Sequence, residues 1–137
     1  KSECPVLLVP EDYNEPGQII LTYDGSESSV FAIKQFAYVY PELTTKETVL
    51  LSVTNTEDEL PEYILISELV SRHFSNLKIQ TLHLKHQKDF TEWLSAKPDS
   101  FIVMGAFSRS LFSQLFKKSF AADVIHEIKM PIFISHK

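Results

Sequence analysis

The sequence is poor in glycine and almost lacks cysteine. Among its 137 residues there are 3 Gly and 1 Cys. The single cysteine, Cys4, excludes an internal disulfide and a cysteine-based metal cluster. It agrees with a reducing compartment, and we expect a cytoplasmic protein. With only Gly17, Gly25 and Gly105 available, neither a P-loop nor a dinucleotide-binding glycine motif can be written.

Long apolar runs and an excess of positive charge are also missing. No run approaches the roughly 18 apolar residues of a transmembrane helix. The formal net charge is −5, whereas nucleic acids and anionic membranes bind basic surfaces. We therefore expect neither of them as a partner. The opening Lys-Ser-Glu-Cys-Pro contains no initiator Met, which is typical of a segment cut from a longer chain.

Apolar strand patterns alternate with helical patterns along the chain, and 44% of the residues are hydrophobic. Strands are predicted near residues 5–10, 19–24, 48–53, 77–84, 101–104 and 131–135, with helices beginning near residues 26, 61, 89 and 119. This alternation predicts an α/β fold with a parallel, doubly wound sheet. Ligands of such sheets bind beyond the carboxyl ends of the strands. Asp24, Val53 and Gly105 stand at such ends.

The chain begins with a segment that is similar to its own last strand. Cys4-Pro5-Val6-Leu7-Leu8-Val9 matches Met130-Pro131-Ile132-Phe133-Ile134-Ser135 in its order of proline and apolar residues. We interpret residues 1–10 as the last strand of a preceding homologous domain, 11–18 as a linker and 19–137 as one domain. An apolar edge strand favours pairing. The two matching segments are therefore predicted to pair, either within the chain or across a dimer.

A loop rich in hydroxyls and cations follows Gly105. It leads to a helix that is predicted to begin at Ser119, so backbone N–H groups could converge on an anion there. Arg109, Lys117 and Lys118 place three cations and no acidic residue in this loop. These cations either attract phosphate or belong to a solvated loop, and the sequence leaves both interpretations open.

Over residues 18–137 these features resemble the universal stress protein (UspA) family. The markers of the resemblance are Tyr23-Asp24-Gly25-Ser26-Glu27, Leu51-Ser52-Val53, Val103-Met104-Gly105 followed by Ser119, and the proline that opens the last strand. The resemblance implies a three-layer sandwich of the adenine nucleotide alpha-hydrolase-like type, with a five-stranded parallel sheet in the order 3-2-1-4-5. It also implies dimers or tandem pairs joined through their last strands. The opening segment then resembles the last strand of the first domain in a tandem member.

The resemblance further implies a nucleotide site. Family members that bind ATP share Gly-x-x-Gly-x9-Gly followed by Ser or Thr, and here Ser108 and Lys118 occupy two of the three glycine positions. The implied ligand is ATP or AMP, with Mg²⁺. The implied binding positions are Tyr23, Asp24, Val53, Met104, Gly105, Ser108, Lys118, Ser119 and Phe120. Asp24 and Ser119 have an alternative role as helix N-caps, and Ser26 is a second candidate for the first helix.

No catalytic or metal-binding constellation is evident in the sequence. The histidines are scattered, at His73, His83, His86, His126 and His136. A nucleophile elbow of the form Gly-x-Ser-x-Gly is missing. We therefore expect no metal site and no enzyme, with any ATP hydrolysis slow and incidental. An apolar stripe at Leu111, Phe112, Leu115 and Phe116 either packs over the end of the sheet or forms a partner surface or lid.

The preferred hypothesis is a non-catalytic stress-response module that associates through its last strand and carries a degenerate nucleotide site. The alternative is an ATP- or AMP-binding stress sensor that uses the loop between Gly105 and Ser119.

Overall fold

The structure is a computed structural model that describes residues 5–12, 15–54, 63–83, 87–105 and 129–135. Its elements are, in chain order, β1 (Val6–Leu8), β2 (Gln18–Tyr23), α1 (Glu27–Val39), a 3₁₀ turn (Pro41–Leu43), β3 (Glu47–Thr54), α2 (Tyr63–His73), β4 (Leu77–His83), α3 (Gln87–Ser95), β5 (Ser100–Gly105) and β6 (Ile132–Ser135). The loop after Gly105, its apolar stripe and the helix predicted at Ser119 lie outside the described residues. None of the described helices has both the length and the apolar character needed to cross a membrane.

The described strands form one six-stranded sheet in the order β1-β6-β5-β2-β3-β4. From β4 to β6 the neighbours pair in parallel. Counted from β2, this is the expected order 3-2-1-4-5. The expectation of five parallel strands was incomplete, because β1 adds a sixth strand that runs antiparallel to β6. The sheet is therefore mixed, since the apolar edge of β6 pairs with the segment that resembles it.

Helices cover both faces of the sheet, giving three layers. One core cluster joins α1 and α2 to the sheet, and its largest members include Phe36, Phe74 and Phe133. The other joins α3 to the opposite face through Phe90 and Leu94. Because the central strands are buried on both faces, their sequences are continuous apolar runs rather than alternating patterns.

An aromatic cluster fixes α1 across the sheet. The ring of Phe36 lies 5.2 Å from that of Phe101 in β5 and 5.4 Å from that of Phe133 in β6, measured between centroids. Its ring also stacks at 6.4 Å on Phe74, the residue that follows α2. Such pairs stabilise a fold by about 0.5–1.5 kcal/mol each beyond the area they bury. Phe36 therefore joins α1 to two strands of the sheet and to the end of α2.

The buried face of α1 differs from the expected one. The sequence pattern favoured Val30, Ile33, Ala37 and Tyr40, whereas the fully buried residues are Ser29, Ala32, Ile33 and Phe36. The expected residues other than Ile33 lie at the margin of the cluster and are partly buried. The small side chains on the buried face allow the helix to approach the strands closely.

Candidate functional site

The carboxyl ends of β2, β3 and β5 lie side by side. Tyr23 in β2 is opposite Ser52 in β3, and Leu21 is opposite Val103 in β5. The structure therefore brings five of the predicted positions to one edge of the sheet: Tyr23, Asp24, Val53, Met104 and Gly105. The other four, Ser108, Lys118, Ser119 and Phe120, lie outside the described residues. This edge is where the parallel topology favours ligand binding.

The side chains of Tyr23 and Met104 belong to the core. Tyr23 is buried on the face covered by α1 and α2, and Met104 is buried on the face covered by α3. Successive side chains of a strand point to opposite faces, so these two residues do not share one surface. Packing is sufficient to explain both residue types.

The turn between β2 and α1 is held by Asp24 and Ser26. The Oδ1 atom of Asp24 accepts hydrogen bonds from the backbone N–H and the hydroxyl of Ser26, at 2.9 and 2.5 Å. The Ser26 hydroxyl in turn accepts the backbone N–H of Ser29 at 3.1 Å. Ser26 is therefore the N-cap of α1, and Asp24 orients that cap. Gly25 between them has φ 90°, a conformation that favours glycine.

Gly105 touches the first turn of α1. A Cβ atom added to it would lie 2.5 Å from the carbonyl carbon of Ser28 and 2.6 Å from the nitrogen of Ser29. Both are backbone atoms, so no side-chain rotation can relieve the contact. Close packing between the end of β5 and α1 thus requires a glycine here, independently of any phosphate.

A cleft of about 270 Å³ opens beside α1 at the end of β2. It is lined by Tyr23, Gly25, Ser26, Glu27, Val30, Phe31 and Lys34. Its volume is just below the roughly 300–1,000 Å³ of typical small-molecule pockets. The charged residues of the lining are Glu27 and Lys34, neither of which was predicted as a binding position. Their spacing of two helical turns, with Phe31 between them, was the available signal.

One buried hydroxyl near the carboxyl end of β3 has no hydrogen-bond partner. Ser52 is 2% exposed, and its Oγ is the single buried side-chain oxygen or nitrogen without a partner in the described part of the chain. Such groups are rare because desolvation without a hydrogen bond costs about 1–3 kcal/mol. Ser52 interrupts the apolar run Leu50-Leu51-Ser52-Val53, which could have revealed a polar group at this strand end.

The described residues do not form a metal site. Within residues 5–12, 15–54, 63–83, 87–105 and 129–135, no three His, Cys, Asp or Glu side chains come together. Asp24, where the resemblance implies a nucleotide contact, already uses Oδ1 to hold Ser26.

These features define an α/β protein with a cleft at the carboxyl end of β2. No model of a known protein family and no curated protein matches the sequence. Solved structures match the fold. The chain superposes on a universal stress protein from Archaeoglobus fulgidus with a TM-score of 0.66 and 15% identity, over 100% of this chain and 51% of that protein.

Two further structures match the fold over nearly all of their own length. A universal stress protein in complex with cAMP matches with a TM-score of 0.59 and 13% identity, over 90% of this chain and 98% of that one. UspA from Lactobacillus plantarum matches with a TM-score of 0.57 and 14% identity, over 90% of this chain and 100% of that protein. The chain therefore has the universal stress protein fold, and it spans about half the length of the Archaeoglobus fulgidus protein.

Proposed function

We propose that the chain is a non-catalytic stress-response module of the universal stress protein kind, with a degenerate nucleotide site. The observation that carries the proposal is the contact of Gly105 with α1. Gly105 is the one glycine that remains of the three-glycine motif, and helix packing is sufficient to explain it. Ser108 and Lys118 replace the other two. None of the three positions therefore requires a bound phosphate.

The cleft beside α1 supports weak rather than tight binding of a nucleotide. It is small, at about 270 Å³, and its charged residues are one acid and one base. Lys34 can attract a phosphate, but Glu27 in the same lining repels it. A nucleotide in this cleft would therefore gain little net binding energy from these two charges.

A second candidate function is an adenine-nucleotide sensor. Two observations favour it: the buried Ser52 hydroxyl lacks a partner, and one protein with this fold was solved in complex with cAMP. An adenine or ribose edge reaching Ser52 could supply the missing hydrogen bond. In such a sensor, the loop between Gly105 and Ser119, with its three cations, would bind the phosphates.

Isothermal titration with ATP, AMP and cAMP, each with and without Mg²⁺, separates the two functions. We expect dissociation constants of about 0.1 mM or weaker, equivalent to roughly 5 kcal/mol of binding or less. Lys34→Ala should then weaken any binding further. Lys78→Ala is the matched control, because Lys78 lies on β4 and pairs with Glu47 at 3.5 Å. Micromolar or tighter binding would establish the sensor instead.

The association part of the proposal concerns the edge formed by β1 and β6. The apolar edge of β6 pairs with the β1 segment in an antiparallel ladder. Because apolar edge strands pair readily, this pairing is evidence for association at this edge, either with a second copy or with a preceding domain of the same kind. We propose that the protein acts in the cytoplasm, and that neither nucleic acid nor membrane is a partner.

A further inference from the structure

The helix α1 carries aromatic side chains on the face that points away from the sheet. Phe31, Lys34 and Tyr38 follow one another at intervals of three and four residues, so they form one stripe along the helix. This stripe lies opposite the buried residues Ser29, Ala32, Ile33 and Phe36. Tyr38 is 86% exposed, and Phe31 is half-buried. Because the outward face of such a helix is normally polar, packing against the sheet does not explain these two aromatic residues.

A groove of about 650 Å³ lies along this stripe. The described lining of this α1 groove includes Phe31, Lys34, Ala37 and Tyr38 of α1, Pro41 of the 3₁₀ turn and His73, the last residue of α2. Its volume is more than twice that of the cleft at the end of β2, and it lies within the roughly 300–1,000 Å³ of typical small-molecule pockets. The groove is therefore large enough for a small organic ligand.

The lining of the α1 groove combines an apolar surface with positive charge. Four of the six residues just named are apolar or aromatic, and the ionisable ones are Lys34 and His73. None of the described lining residues is acidic, although the chain as a whole has a formal net charge of −5. An apolar surface beside a cation favours a ligand with a hydrophobic body and a negative charge.

Lys34 differs from the other lysines whose side chains the structure describes. Lys46, Lys78 and Lys129 lie 3.1–3.6 Å from a carboxylate oxygen, and Lys97 lies over an indole ring at 5.3 Å. Within the described part of the chain, Lys34 makes no ion pair, hydrogen bond or ring contact. Its ammonium group is therefore available to an anion in the groove.

We propose that the α1 groove binds an aromatic carboxylate. The ring of the ligand packs against Tyr38 and Phe31. Its carboxylate accepts a hydrogen bond from Lys34, and His73 offers a ring N–H as a second donor. A monoanion fits better than a phosphate because Glu27 lines the adjoining cleft, which shares Phe31 and Lys34 with the groove. This inference goes beyond the proposed function and does not require nucleotide binding.

Titration of the ¹⁵N-labelled chain with 2-naphthoate, followed by ¹H–¹⁵N NMR spectra, locates the ligand. We expect a dissociation constant on the order of 0.1 mM. Amide signals should shift at Ala37, Tyr38 and His73, which line the groove but not the cleft. Gly25 and Ser26 line the cleft but not the groove, and their signals should not shift. Shifts confined to Gly25 and Ser26, or no binding at about 5 mM, would overturn the proposal.

A neutral analogue tests the role of the charge in the same titration. The wild type should bind 2-naphthoate about three- to tenfold more tightly than 2-naphthamide, which lacks the negative charge. Lys34→Gln should abolish this preference, and Lys34→Arg should keep it. Lys78→Gln is the matched control, because Lys78 is an exposed lysine on β4, and it should also keep the preference. Equal affinity of the wild type for the two compounds would contradict the assignment of the carboxylate to Lys34.

A second pair of variants tests the aromatic contact. Tyr38→Ser should weaken the binding of both compounds about fivefold, because it removes a ring against which they pack. Ile64→Ser is the matched control, since it removes an exposed apolar side chain of α2 that is not part of the described lining, and it should weaken neither. Both side chains are exposed, so we expect both variants to fold, and the NMR spectra report this directly. Equal losses of affinity in the two variants would refute the proposed contact.

Discussion

Replacing Gly105 with alanine tests whether packing is the reason for that glycine. The new Cβ would lie 2.5 Å from the carbonyl carbon of Ser28 and 2.7 Å from its oxygen. Carbon atoms in contact prefer about 3.5–4.0 Å, so β5 and the first turn of α1 must separate by about 1 Å. That turn is fixed by the Ser26 cap and by the buried Ser29. Overpacking of this kind costs about 1–3 kcal/mol, and we expect the upper part of that range.

Urea unfolding followed by circular dichroism measures the loss. For a domain of this size the midpoint should fall by about 1–2 M. Gly17→Ala is the matched control, because a Cβ there meets nothing within 4 Å and its N–H bond to the carbonyl of Asp99, 2.8 Å long, is retained. It should be neutral or stabilising by up to about 1 kcal/mol.

The packing explanation fails if Gly105→Ala is as stable as Gly17→Ala. It also fails if Gly105→Ala keeps wild-type stability but loses nucleotide affinity, since the glycine would then serve a ligand. Loss of stability without a change in affinity is the result that the geometry requires.

Substitutions at two further residues, Ser26 and Ser52, test the hydroxyls of the site by urea unfolding. Ser26→Ala removes the N-cap of α1 and should cost about 1 kcal/mol, whereas Ser26→Gly should cost only a few tenths. Ser71→Ala, which removes an exposed hydroxyl in α2 that donates to its own helix, should stay within about 0.5 kcal/mol of the wild type. Ser52→Ala should leave stability unchanged or raise it by up to about 1 kcal/mol, because it removes a buried hydroxyl without a partner. A loss of more than 1 kcal/mol there would mean that the hydroxyl is hydrogen-bonded in solution.

The α/β class was predictable because long apolar runs and helical spacings are local features of the sequence, whereas the order of the parallel strands was implied only by the resemblance to the universal stress protein family. The buried face of α1 was predicted less well. The expected face left out Phe36, and it also left out Ser29 and Ala32, whose small side chains lie on the buried face. These small side chains matter because they let the helix approach β5 closely, and that approach depends on residues far apart in the sequence.

The placement of the strand ends beside one another was predictable, whereas the contacts between their residues were not. Parallel topology placed Asp24 and Gly105 at one edge, as expected. The distance from Gly105 to Ser28, and the missing partner of Ser52, depend on residues far apart in sequence. No spacing rule contains that information. Whether Asp24 or Ser26 caps α1 was likewise decided by hydrogen-bond geometry, with Ser26 as the cap and Asp24 as its support.

The position of α1 has a consequence for biosynthesis. Ser135 of β6 donates its hydroxyl to Gln35 of α1, a residue 100 positions earlier, and Phe36 needs Phe133 beside it. At the roughly 5–20 residues per second of translation, α1 waits about 5–20 s for the strand that completes its core. During that interval Phe36 and its neighbours are available to chaperones or to other nascent chains. The nascent chain is therefore most prone to aggregate shortly before β6 is made, and slowing translation there should lower the yield of folded protein.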